Sequence, residues 1–236
     1  MTKHLLLAHG VRRGDLNERV KSRIDALMTP YDFEFSTAFL ESDTQNARIV
    51  IERMIADGAA HIVITPLFML PASHVQEDIP EIVRSFSDSH PEVEIEVRPV
   101  LTAHPLVKDI IRQRLAEASA PAKDGTAAVI IAHGNPRFPE ADEALESFTE
   151  SLAPGCDAHA MMLYGELGFE KLLPEISRRY NQMIIVPLFL YDGYMTEKIR
   201  EMIGGMDLQA PYEMTQSLDF DPLLGQVIKD LSEWEV

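Results

Sequence analysis

Cysteine is nearly absent: Cys156 is the only one in 236 residues. That excludes an intramolecular disulfide and leaves no thiol cluster for a zinc or iron–sulfur centre. It also suits a reducing, cytoplasmic setting. Basic residues are scarce too, with 21 Lys and Arg against 38 Asp and Glu and a formal charge of −17. No basic run exceeds Arg12-Arg13 or Arg178-Arg179. The local surplus of cations that phosphate-backbone binding requires is missing, so nucleic acid is not an expected partner. Between Met1 and Gly10 the apolar run is Leu5-Leu6-Leu7-Ala8, too short for a signal core or a bilayer span, and no membrane partner is expected. Neither Gly-x-x-x-x-Gly-Lys nor Gly-x-Gly-x-x-Gly occurs, which removes the usual nucleotide-binding motifs. What remains is the composition of an ordinary globular protein, 46% hydrophobic and 25% charged, at a length that suits one large or two small domains.

Four short apolar segments punctuate the first half and read as strands: Leu5–His9, Phe33–Leu40, Ile62–Met69 and Val93–Leu101. Helical periodicity lies between them, as in Leu16, Val20, Ile24 and Leu27, and again in Ile49, Ile51, Met54 and Ile55 before a stop at Gly58. This alternation predicts an α/β protein with a parallel sheet covered by helices on both faces. The second half then repeats the first. Leu5-Leu6-Leu7-Ala8-His9-Gly10 returns as Val129-Ile130-Ile131-Ala132-His133-Gly134, and Ala38-Phe39-Leu40-Glu41 as Leu163-Tyr164-Gly165-Glu166. Pro66-Leu67-Phe68 returns as Pro187-Leu188-Phe189, and Pro105-Leu106 as Pro222-Leu223. Four landmarks in constant order at a nearly constant shift indicate duplication. Two units are expected, 1–118 and 125–236, each a roughly four-stranded parallel sheet flanked by helices, with a cleft between them. Ala116–Thr126 is the joint, where Pro and Gly break the pattern.

In such sheets ligands bind beyond the carboxyl ends of the strands. In the first half those ends carry His9, then Glu41, then Ser73-His74, then Thr102-Ala103-His104. Imidazole nitrogens with a carboxylate oxygen suit Fe²⁺, Co²⁺, Ni²⁺ or Zn²⁺, and neutral imidazole accepts protons near pH 7. A helix start near Gln76 would place His74 just before a positive helix end, which favours the neutral ring. Taken singly, His9 reads equally well as a core histidine and His74 as a loop histidine; with Glu41 they read as a site. The second half keeps His133 and Glu166 but aligns Met195 on His74, and a thioether is a poor ligand for these ions. The catalytic rim is therefore expected in the first half, with the second degenerate.

These residues resemble the class II tetrapyrrole chelatases, the sirohydrochlorin cobalto- and ferrochelatases of cobalamin and siroheme synthesis. The resemblance rests on Leu-Leu-Ala-His-Gly followed by Arg12, on Ala-Phe-Leu-Glu ending at Glu41, and on Pro-Leu-Phe followed by His-Val-x-x-Asp-Ile-Pro from His74 to Pro80. It is strongest over the first half, and long members of the family are similar to two fused short forms. The resemblance implies insertion of a divalent metal, Co²⁺ or Fe²⁺, into sirohydrochlorin or a related tetrapyrrole without nucleotide; the His/His/Glu set also accommodates Ni²⁺. It also implies essential roles for His9 and His74, with assistance from Glu41. On this reading His9, His74 and Glu41 hold the metal and move pyrrole protons. Arg12 or Arg13, Ser73, His133 and Tyr194 are candidate contacts for the macrocycle and its acidic substituents. A fused duplicate is expected to work as a monomer, with a dimer as the alternative.

Two rival readings stand beside it. Ala8-His9-Gly10-Val11-Arg12 superficially resembles the Arg-His-Gly of histidine phosphatases, but alanine replaces the arginine that would stabilise the phosphoryl oxygens. A non-catalytic carrier or sensor of metal or tetrapyrrole would use the same histidines and release its ligand unchanged.

Overall fold

The computed structural model describes residues 1–12, 14–118, 125–152 and 155–234. Arg13 and most of the proposed joint, residues 119–124, lie outside the described residues. The chain forms eight strands and eight helices among those residues, in two similar runs. The first is β1 (Thr2–Gly10), α1 (Leu16–Met28), β2 (Phe35–Glu41), α2 (Ala47–Ala56), β3 (His61–Pro66), a helical turn at His74–Asp78, α3 (Ile79–Ser89), β4 (Glu94–Val97) and α4 (Pro105–Glu117). The second is β5 (Thr126–Ala132), α5 (Pro139–Glu150), β6 (Asp157–Met162), α6 (Phe169–Ser177), β7 (Gln182–Pro187), α7 (Tyr194–Gly204), β8 (Tyr212–Met214) and α8 (Leu223–Ser232). Both sheets are parallel and four-stranded, in the orders β2-β1-β3-β4 and β6-β5-β7-β8. The expected duplicated α/β architecture is what the chain adopts.

Central strands of a helix-covered sheet must be apolar on both faces. In β1, Leu5, Leu6 and Leu7 are fully buried, and in β5 every residue is. On one face of the first sheet Leu5, Leu7, Ala38, Ile62 and Ile64 meet Val50, Ile51 and Met54 of α2 and Ile79, Ile82 and Phe86 of α3. In the second sheet Val129, Ile131, Met161, Met183 and Ile185 meet Phe169 and Leu173 of α6 and Ile199 and Ile203 of α7. Asn46 caps α2 by accepting from the Ile49 N–H, and Gly58, at φ +85°, ends that helical segment as its sequence position suggested.

The compact units do not follow the repeats to the end. One unit holds residues 1–68, 73–104 and 222–236; the other holds 69–72 and 105–221. Within the first, α8 from the far end of the chain packs against β3 and α1, and its Ser232 hydroxyl is hydrogen-bonded to the buried Thr65 at 2.7 Å. Within the second, α4 packs on β7. Its Arg114 donates to the carbonyls of Ser217 and Leu218 and pairs with the buried Asp221 at 2.9 Å. A charge pair this deeply buried is costly to separate, which anchors α4 in that unit. The sequence repeats, 1–118 and 125–236, thus contribute their last helices to the opposite compact units.

The strand order has a functional consequence. After β1 the chain moves outward to β2, then crosses back to β3 on the other side, so the connections diverge between β1 and β3. Such a switch point opens a crevice at the carboxyl ends of those two strands. Among the described residues no helix is long and apolar enough to cross a membrane.

Candidate functional site

His9 sits at the end of β1 and is exposed, directly after the buried Ala8. Its neighbour Gly10 holds a left-handed φ of +75°. A Cβ there would stand 2.6 Å from the Phe39 Cβ and 2.7 Å from the Glu41 carbonyl oxygen, so glycine is required for β1 to turn this close to β2. Asn17 holds the resulting loop: its side chain accepts from the Val11 N–H at 2.8 Å and donates to the carbonyls of Val11 and Glu41 at 2.8 and 3.1 Å.

His74 reaches the same place from β3. The helical run starts at His74 itself, not near Gln76, because residues 74–78 form one wide turn closed from the Ile79 N–H to the His74 carbonyl. Wide turns of this kind are frequent at functional sites. The rings of His9 and His74 lie edge to face, with centroids 4.6 Å apart and planes at 79°. Phe68 packs beside His74 at 5.5 Å.

Hydrogen bonds assign the tautomers. His9 Nδ1 is 2.7 Å from the Gly10 carbonyl oxygen, and His74 Nδ1 is 2.6 Å from Asp78 Oδ2. Both partners are acceptors, so each Nδ1 carries a proton, and in the neutral form of either ring the Nε2 lone pair is left for another use. A neutral imidazole with its Nε2 lone pair available can bind a divalent ion or accept a proton.

Glu41 closes β2 opposite Gly10. It accepts from Arg12 Nε at 2.7 Å, a largely exposed pair, and that hydrogen bond chiefly raises the Arg12 pKa above its ordinary value. The four Nη–H donors of Arg12 are not used in it. Ser73 immediately precedes the His74 turn. His104, by contrast, is turned toward Asp230 of α8 at 3.3 Å and takes no part in the histidine pair. Among the described residues no three His, Cys, Asp or Glu side chains gather into a metal-holding group.

The second unit repeats the His-Gly strand end with different side chains around it. His133 Nδ1 lies 2.8 Å from the Gly134 carbonyl oxygen, as in His9, and its ring packs edge-on to Tyr164 at 5.2 Å. A Cβ on Gly134 would meet the Tyr164 carbonyl oxygen and the Met162 Cβ, so Tyr164, not Glu166, occupies the place of Glu41. Gly165, at φ +119°, turns the chain away and leaves Glu166 beyond the strand end. Lys198 donates to the Tyr164 hydroxyl at 2.7 Å, which raises the lysine pKa. Met195 packs against the apolar cluster under α7, while Tyr194 is 79% exposed at the start of that helix.

Two residues escaped the sequence reading. Asp78 stood in the quoted motif four positions after His74, a helical neighbour spacing that already signalled a side-chain pair. Asn17 left no signal, because an asparagine early in a helix has many uses.

Comparison with known proteins agrees with this picture. The family described as CbiX matches residues 3–118 and again 127–233. A sirohydrochlorin cobaltochelatase of Priestia megaterium is 24% identical over 99% of this chain and 79% of its own length. A sirohydrochlorin ferrochelatase of the same organism is 22% identical over 87% of this chain and 79% of its own. Among solved structures, SirB from Bacillus subtilis with Fe³⁺ superimposes with a TM-score of 0.83 at 18% identity, covering 98% of this chain and 96% of that one.

Proposed function

The chain belongs to the CbiX family, and from that premise we propose that it is a chelatase inserting a divalent metal, Co²⁺ or Fe²⁺, into sirohydrochlorin without nucleotide. Two relatives that align along most of the chain carry those two activities in their names. The observation that carries the reading is the apposition of His9 and His74, with both Nδ1–H groups committed to acceptors.

Insertion must hold a partly dehydrated M²⁺, replace two pyrrole N–H bonds with two N–M bonds, and release two protons. Neutral Nε2 atoms suit both tasks: a lone pair binds the arriving ion and, once the ion has moved to the macrocycle, accepts a departing proton. Glu41, at the end of β2 and paired with Arg12, is assigned to proton relay and to orienting the loop after His9. The Arg12 Nη donors and Ser73 are assigned to acidic substituents of the macrocycle, which guanidinium binds through paired hydrogen bonds. His133 and Tyr194, the remaining candidate substrate contacts, are assigned secondary roles that their alanine variants test directly.

The test is multiple turnover. Purified protein with sirohydrochlorin and excess Co²⁺ or Fe²⁺ converts the absorption spectrum at far more than one equivalent. A change that stops at one equivalent means a carrier, and this reading is then wrong. Phosphatase turnover inhibited by vanadate would equally overturn it.

A further inference from the structure

The reaction proposed above needs His74 to present a lone pair, and an isolated neutral imidazole distributes its proton between two nitrogens. His9 is restrained by backbone, through the Gly10 carbonyl, and the duplicated His133 is restrained in the same way by Gly134. That device belongs to the strand end and is present in both repeats. His74 has no such carbonyl in its hydrogen bond; its Nδ1 partner is the Asp78 carboxylate at 2.6 Å, one wide helical turn away.

We propose that Asp78 is a positioning residue, whose carboxylate fixes His74 as the Nδ1–H tautomer and aims its Nε2 lone pair beside His9. Histidines that bind metal characteristically donate their other N–H to a carboxylate or carbonyl, which sets tautomer and ring orientation. Here the wide turn supplies the spacing: closure from Ile79 back to His74 spans the segment that ends at Asp78. Phe68 bounds the imidazole at 5.5 Å and the His9 ring meets it edge-on.

Duplication provides an internal control. The shift that carries Pro66 at the end of β3 to Pro187 at the end of β7 carries His74 to Met195 and Asp78 to Ile199. Met195 packs against the apolar cluster to which the fully buried Ile199 belongs. Where the imidazole is absent the carboxylate is absent as well, whereas the strand-end histidine and its backbone acceptor persist. An Asp serving only the helix start would have no reason to follow the histidine. The pair behaves as one functional unit.

This inference rests on the metal-handling role assigned to His74, and the experiment separates the two. Full-length protein labelled with ¹⁵N-histidine, free of metal, is compared by long-range ¹H–¹⁵N correlation for wild type, Asp78→Asn and Asp78→Ala, with His74→Ala identifying the resonances. Wild type shows His74 as the Nδ1–H tautomer. Asp78→Asn, whose amide NH₂ can donate to Nδ1 and favour the opposite tautomer, and Asp78→Ala, which offers no partner, both lose the uniform Nδ1–H form. In turnover with Co²⁺, Asp78→Ala raises the KM for the metal about 10- to 100-fold, the range typical for loss of such a partner, and changes kcat less. Asp78→Asn, similar in shape but able to donate to Nδ1, loses a comparable factor. An unchanged His74 tautomer in Asp78→Ala or in a folded Asp78→Asn overturns the proposal, as does a metal KM that neither variant moves. Should Asp78→Ala fail to fold, the asparagine variant alone still decides. Wild type that shows the tautomer but never exceeds one turnover leaves Asp78 in place and counts against the chelatase reading.

Discussion

The carboxyl ends of β1 and β5 share one backbone turn, and the side chains around them differ. Each central strand ends in His-Gly with the imidazole Nδ1 held by the glycine carbonyl, and each glycine takes a left-handed φ because the neighbouring strand leaves no room for a Cβ. Beyond that point they part. The first unit places His74, Asp78, Glu41 and Arg12 around its histidine. The second places Met195, Ile199 and Tyr164 at the positions of His74, Asp78 and Glu41, and Tyr164 is paired with Lys198 of α7. Duplication copied a scaffold, and the scaffold is held by strand packing and the glycine turn; the chemistry is held by a few side chains that the scaffold does not need. In the second unit the positions of His74 and Asp78 hold residues that pack, Met195 and Ile199, and that of Glu41 holds Tyr164, paired with Lys198.

The largest effect that tests this contrast is on turnover. His9→Ala or His74→Ala is expected to lower metal insertion by roughly 10²- to 10⁴-fold, the usual worth of a positioned proton-transfer group, with His133→Ala staying within about threefold. Equal losses at His9 and His133, in a spectrophotometric assay, would erase the division of labour. Next comes the shared scaffold. Gly10→Ala and Gly134→Ala are both expected to destabilise by on the order of 1–3 kcal/mol, Gly134→Ala more, since its Cβ would fall closer to a backbone oxygen. Gly58→Ala, with φ +85° and open space around the added carbon, is expected to cost only about 1 kcal/mol from conformation. Denaturant midpoints rank the three, and a neutral Gly134→Ala would show that the second strand end is not constrained as described.

Smaller effects separate Glu41 from Tyr164. Glu41→Gln is expected to reduce kcat/KM by about tenfold, whereas Tyr164→Phe leaves turnover near wild type and lets the Lys198 pKa fall back toward its ordinary value, measurable by ¹⁵N NMR of the lysine side chain. Smallest is a pH effect on stability carried by one histidine in each unit. Burial lowers the pKa of His4 in β1 and of His159 in β6 below 6.5. Below that value the unfolded chain binds protons that the folded one excludes. The stability these neutral rings contribute is complete above pH 6.5 and is lost as pH falls through the folded pKa values. The melting temperature should drop between pH 7 and pH 5, and substituting glutamine at positions 4 and 159 should blunt that drop; an unchanged profile in the double variant refutes the assignment.

Much of this was legible in the sequence. Alternating apolar segments and the repeated His-Gly, Pro-Leu-Phe and Pro-Leu landmarks predicted two parallel sheets, and three of the four first-half strands lie within two or three residues of their expected ends. The fourth is shorter, Glu94–Val97 against an expected Val93–Leu101, because its pairing with β3 closes with the Arg98 N–H on the Ile64 carbonyl and the chain then enters a short turn at Leu101–Ala103. Matching Glu166 to Glu41 misled, since identity at one position outweighed register, and the positive φ of Gly165 is invisible in a one-letter alignment. Asn17 and the His74 tautomer were equally hidden, being hydrogen-bond facts that composition does not carry.

By itself the sequence determined the duplication, the layered α/β class and the two histidines sixty-five residues apart, because apolar periodicity and strand-end position are local properties of the chain. Only the tertiary structure decided that those two rings touch, that an aspartate orients one of them, and that α4 and α8 pack in each other's expected places. Both helices open on Pro-Leu and present apolar faces, so nothing local distinguishes their destinations. The choice rests on contacts between distant residues, Arg114 with Asp221 and Ser232 with Thr65, and such pairings exist only once the sheets have formed.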